Sequence, residues 1–120
     1  MKTILYYTDL MPFLSNPAKA VAKVKKNFEI FQENKDQIGL IWHPYRRTEE
    51  FLILNNCECL EEYRKLKENF MDKNIGSFDE SDDGKKLADM CDAYYGDYSD
   101  ITYYFTENKK PVMIQNIDIQ

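Results

Sequence analysis

Residues 91–116, CDAYYGDYSDITYYFTENKKPVMIQN, read as a buried strand, a polar turn, a short helix and a second buried strand. Residues 91–95, Cys-Asp-Ala-Tyr-Tyr, are small or aromatic apart from Asp92 and can form a strand. Gly96-Asp97-Tyr98-Ser99 then supplies a glycine for a tight turn and a hydroxyl at the start of the next helix. Residues 111–115, Pro-Val-Met-Ile-Gln, make the second strand. If the two strands run parallel, the turn lies at the carboxyl edge of the sheet, where α/β proteins place their binding crevices.

The same alternation continues toward the N-terminus. The polar run Asp79-Glu80-Ser81-Asp82-Asp83-Gly84 suits the start of a short helix carrying Leu87 and Met90, and its oxygen ligands are too incomplete for a calcium loop. Residues 75–78 read as a weak strand, and Leu60, Tyr63, Leu66 and Phe70 mark a helix over residues 57–72. Residues 45–56 are polar and basic, then apolar, and read as a loop with room for a helical turn. Residues 37–42 are continuously apolar from Ile38 to Trp42, the pattern of a parallel strand buried on both faces, and the strand is expected to stop at His43-Pro44. Asn16-Pro17 opens a helix over residues 17–33 whose inward face is Val21, Val24, Phe28 and Phe31. A loop with Pro12 separates it from a first strand at residues 3–7. The expected fold is α/β, a Rossmann-like three-layer α/β/α sandwich on a mostly parallel five-stranded sheet of order 3-2-1-4-5.

At 120 residues the chain is one domain, able to fold without disulfide or metal. An apolar content of 43% argues against disorder, and no apolar run approaches the ~20 residues needed to span a bilayer. Met1-Lys2-Thr3 runs straight into Ile4-Leu5-Tyr6-Tyr7 with no small-residue cleavage site, so no signal peptide is expected. The net charge of −5 disfavours nucleic acid, and Lys19, Lys23, Lys25 and Lys26 read as one solvated helix face. Three cysteines exclude a fully paired disulfide framework and suit a reduced cytoplasm. Cys57-x-Cys59 lacks the spacer of a zinc ribbon and the lone His43 cannot complete a site, so no metal is expected.

This topology gathers Thr8 and Asp9, His43 with Arg46 and Arg47, residues 79–81 and residues 96–100 on one rim. Ser99 either holds a phosphate oxygen with the amides that follow it or simply caps the helix, and Arg46 and Arg47 would add charge-assisted bonds to the same group. His43 is either an acid or base at this rim or a half-exposed loop residue. There is no glycine-rich phosphate loop, nucleophile elbow or paired-carboxylate spacing, so catalysis by the rim itself is not indicated. A receiver-like phosphoacceptor site is disfavoured because the first strand ends in a single acid and Lys110 precedes the fifth strand.

Asp97-Tyr98-Ser99-Asp100, Lys110-Pro111-Val112-Met113-Ile114, Ile4-Leu5-Tyr6-Tyr7-Thr8, Phe28-Glu29-Ile30-Phe31 and Leu40-Ile41-Trp42 together carry a resemblance that spans almost the whole chain. The chain resembles the carboxyl-terminal half of bacterial CDP-glycerol glycerophosphotransferase-like proteins, the teichoic acid polymerase relatives. The resemblance implies the nucleotide-donor lobe of a GT-B transferase, inactive alone and without a cofactor, working with an N-terminal acceptor lobe that supplies the base. Ser99 would take the role of the turn serine and Asp97 would support the turn. His43 would join Ser99 at the donor pyrophosphate, with Arg46 or Arg47 assisting. The implied place is the cytoplasm, at the inner face of the membrane through the parent protein. Two positions depart from the family pattern: Asp100 stands where a second serine is expected, and His43 reaches the family histidine only by a two-residue shift, Tyr45 matching it otherwise. Two further readings are a non-enzymatic interaction domain that kept the fold, and the donor lobe of a nucleotide-sugar glycosyltransferase.

Overall fold

The computed structural model describes residues 1–115; Asn116, the last residue of the stretch quoted above, lies outside them. The elements run β1 (Lys2–Thr8), α1 (Met11–Ser15), α2 (Pro17–Glu33), β2 (Ile38–Pro44), α3 (Thr48–Leu54), α4 (Leu60–Asp72), β3 (Ser77–Phe78), α5 (Gly84–Met90), β4 (Ala93–Gly96), α6 (Ile101–Glu107) and β5 (Val112–Ile114). The sheet order is β3-β2-β1-β4-β5, and every pair is parallel. The fold is therefore the Rossmann-like α/β arrangement expected, with the order reversing beside β1.

Alternating residues of β1 divide the core in two. Tyr6 joins Phe13, Val24, Phe28, Trp42, Tyr63 and Phe70 under helices α1 to α4. Leu5 and Tyr7 join Leu87, Cys91, Tyr94 and Phe105 under α5 and α6. This period-two division is what a central strand covered on both faces imposes. Strand β4 ends on Gly96, whose φ of 139° and contact with the Tyr7 backbone leave no room for a side chain.

Two helices stand where loops were expected. Pro12 lies in the first turn of α1, where a missing N–H breaks no intrahelical bond, and Phe13 anchors that helix in the core. The apolar run Phe51-Leu52-Ile53-Leu54 is the end of α3; only Leu52 is buried, whereas Ile53 and Leu54 are exposed. Helix α4 begins at Leu60, three residues later than the pattern suggested. Strand β2 continues through His43 to Pro44 because β3 pairs only as far as Trp42, so the proline's missing donor faces no partner there.

Candidate functional site

The loops at the carboxyl edge are tied down by backbone bonds that continue the ladders. Tyr45 N–H donates to Thr8 O at 2.8 Å, Asp79 N–H to Trp42 O at 2.9 Å and Asp97 N–H to Tyr7 O at 3.0 Å. Strand ends from three crossovers therefore meet at one place. Between them lies a cleft of about 200 Å³ lined by Tyr7, His43, Tyr45, Arg46, Ser81, Asp82, Ser99, Asp100 and Ile101.

Of the five residues singled out by sequence, His43, Arg46 and Ser99 share this cleft. His43 is a buried strand residue, 5% exposed, not a half-exposed loop residue. Its Nδ1 lies 2.8 Å from Asp79 O and 3.3 Å from Asp79 Oδ1. A carbonyl only accepts, so this contact assigns the proton to Nδ1 and leaves Nε2 as the nitrogen for a ligand. Burial alone would raise the Asp79 carboxyl, but the Ser81 amide at 2.7 Å and His43 outweigh it, and the group titrates below its ordinary value. Arg46 is half exposed and lies 3.7 Å from Asp82 across the cleft.

Arg47 points elsewhere. It grips Glu50 at 2.7 and 3.3 Å along α3, and its guanidinium sits 4.6 Å from the Phe51 ring centre. The two arginines diverge because consecutive residues entering a helix are rotated away from each other.

Ser99 is held from within. Tyr94 OH donates its single proton to Asp97 O and lies 3.0 Å from Ser99 Oγ, so Ser99 must donate to the Tyr94 oxygen. Ser99 Oγ also accepts from Ile101 N–H at 3.3 Å. It thus supports the start of α6, while the Asp100 side chain makes no capping bond. A phosphate would gain the Ser99 proton only by displacing Tyr94.

Asp97 is buried at 8% exposure and is not part of the cleft lining, with Oδ2 accepting from Asp9 N–H at 2.8 Å and Oδ1 from Gln115 Nε2 at 3.0 Å. Gln115 Oε1 in turn accepts from Tyr6 OH and Asn27 Nδ2, both at 3.0 Å. This buried chain ties α2, β1, the β4–α6 turn and the residue after β5 together, and sequence reading missed it. Asn27 sits at helical spacing from Val24 and Phe31, a polar residue on an otherwise inward apolar face, and that was the signal available. Burial raises the Asp97 carboxyl above its ordinary value, against the lowering effect of its two donors. Tyr7 and Tyr94 are raised by burial as well, so both phenols remain protonated donors at neutral pH.

Asp97→Asn tests the role of this carboxylate. Both of its oxygens accept, so the new amide must turn an NH2 toward either the Asp9 or the Gln115 donor. A loss of about 1–3 kcal/mol is expected by urea unfolding at neutral pH. Because the folded pKa is raised, the native state holds this proton longer than the unfolded chain. The group's contribution is fullest below the ordinary aspartate value and is lost as pH rises through the raised one. Asp97→Asn should remove that slope from the stability profile; a slope unchanged by the substitution would contradict the assignment.

Among the described residues, no group of three or more His, Cys, Asp or Glu side chains is arranged to hold a metal ion, and no helix is long and apolar enough to cross a membrane. Compared with protein-family models, curated proteins and solved structures, the chain matches none.

Proposed function

We propose that the carboxyl-edge cleft binds the diphosphate of a CDP-glycerol-like donor, and that the chain is a donor-binding domain of a polyol-phosphate transferase that does not catalyse alone. The observation that carries this reading is convergence: His43 from β2, Arg46 before α3 and Ser99 after β4 line one cleft at the point where the sheet order reverses. Its volume of about 200 Å³ suits phosphate groups; whole drug-sized ligands occupy ~300–1,000 Å³, so the nucleoside would lie outside. Arg46 supplies the charge, His43 Nε2 supplies a donor when protonated, and Asp97 fixes the turn that carries Ser99.

In the parent reaction an acceptor hydroxyl attacks the donor β-phosphate and CMP leaves. The acceptor side and its base would come from a second lobe, and the work would take place in the cytoplasm at the inner face of the membrane. A second reading, a domain that kept the fold without a working site, is favoured by two acids in the cleft wall. Asp82 competes with the ligand for Arg46, and Asp100 repels phosphate beside a serine already bonded to Tyr94.

Calorimetry with CDP-glycerol, CDP, CMP and a UDP-sugar separates these readings. CDP-glycerol and CDP are expected to bind in preference to CMP. Arg46→Ala should weaken binding roughly tenfold, the scale of one charge-assisted bond. Asp100→Ser should tighten it by a similar factor by removing a like charge. Neither change should cost much stability, since the Arg46–Asp82 pair is exposed. Absence of binding at millimolar CDP-glycerol and CDP, in both wild type and Asp100→Ser, would favour the second reading; preference for the UDP-sugar would favour a nucleotide-sugar donor lobe.

A further inference from the structure

The linker between α3 and α4 brings two thiols together outside the lining of the cleft. Helix α3 ends in a left-handed Asn56, φ 49°, with Asn56 N–H donating to Ile53 O at 3.1 Å and Cys57 N–H to Leu52 O at 3.0 Å. That pair of bonds is the Schellman closure, and it fixes the backbone at Cys57. Cys59 is fixed on the other side, where its carbonyl accepts from Tyr63 N–H at 2.8 Å as α4 begins. The two sulfurs lie 2.8 Å apart, and each faces Phe13 O of α1, at 3.6 and 3.8 Å.

We propose that Cys57 and Cys59 form an oxidisable dithiol that reacts with a neutral or cationic low-mass disulfide to give an intrachain disulfide. Both residues are anchored by backbone bonds, so closing the ring costs little further ordering. The two sulfurs have different tasks. Cys57 is part exposed, whereas Cys59 is almost fully buried and its thiol is pushed up to about 12 by burial and by its neighbour Cys57. Cys57 is accordingly the first nucleophile. Its thiolate attacks one sulfur of the reagent disulfide, whose S–S bond breaks and releases one thiolate. Cys59 then gives its proton to solvent and attacks the Cys57 sulfur, expelling the second thiolate. One S–S bond is broken and one formed; the protein pair loses two electrons and two protons, and the reagent becomes two thiols.

The charge beside the thiol pair explains the preference for a neutral or cationic reagent. A groove of about 370 Å³ beside Cys59 is lined by Pro17, Ala18 and Val21 of α2 and by Glu58 and Glu62. The two acids disfavour an anionic reagent such as glutathione disulfide. Cys91, the third thiol, is buried in the opposite layer under α5 and α6 and takes no part.

The test exposes the folded full chain to cystamine and to glutathione disulfide, alkylates the remaining thiols and maps peptides by mass. The expected product is a peptide spanning Cys57 and Cys59 that has lost two hydrogens, with Cys91 still alkylatable, formed several-fold faster with cystamine. Cys59→Ser should stop at the cysteamine mixed disulfide on Cys57, and Cys57→Ser should give no intrachain bond. Wild type that retains both thiols, that stops at a mixed disulfide, or that reacts faster with glutathione disulfide would overturn the proposal. Because wild type alone decides these outcomes, a misfolded variant does not rescue or sink the idea.

Discussion

Gly96→Ala is expected to destabilise the protein by about 4 kcal/mol, a large part of the ~5–15 kcal/mol that holds a domain of this kind together. A Cβ at this position would lie 2.1 Å from Tyr7 O and 2.8 Å from Tyr7 N, both backbone atoms of the central strand. Neither can swing aside as a side-chain tip would. The φ of 139° adds a second cost, since L-residues rarely adopt that region. Relief would require β4 to move away from β1, breaking the pairing that sets the turn at Asp97 to Ser99. Trp42 is the only tryptophan and is fully buried, so its fluorescence reports global unfolding in urea. A midpoint shift equivalent to less than about 1 kcal/mol would mean that β4 does not pass so close to β1.

Trp42→Ala should cost about 4 kcal/mol, and Trp42→Phe about half as much. The indole touches Phe28 at 4.8 Å between ring centres and Phe70 and Phe78 at 5.2 Å, joining α2, α4 and β3 through one side chain. Its Nε1–H donates to the buried Thr8 Oγ1 at 3.1 Å, at the carboxyl end of β1. Alanine removes the packing and leaves a cavity that rings on three sides cannot fill. Phenylalanine keeps most of the packing but leaves Thr8 without its donor. Circular dichroism in urea measures both variants, and equal losses for the two would show that the hydrogen bond, not the packing, dominates. Since His43 follows directly in β2, the alanine variant should also loosen the cleft wall.

The sheet was legible because its strands are short continuous apolar runs separated by recognisable helix starts, and right-handed crossovers then leave few orders to choose from. What escaped was governed by position within a face. Proline in a first helical turn looks like a loop marker, which hid α1. Four consecutive apolar residues carry no helical period, which hid α3, where packing against the core selects Leu52 alone. At the carboxyl edge, His43, Arg46 and Ser99 each lie at or just after a strand end, so topology alone brings them to one cleft. Side-chain direction is set by the local helix phase, so Arg47 left the cleft for Glu50. The link between Asn27 and Gln115 joins residues 88 positions apart, a separation that no local pattern encodes.

Binding of phosphate groups between the carboxyl ends of β1, β2 and β4 is the core of the proposed function. Its most direct test is a titration of the isotope-labelled chain with CDP-glycerol, followed through backbone amide shifts. Saturable shifts confined to Tyr45, Arg46, Ser81 and residues 99–101 are predicted, reduced in Arg46→Ala and enlarged at equal ligand in Asp100→Ser. No saturable shift, or shifts centred on the groove between α2 and α4, would contradict it.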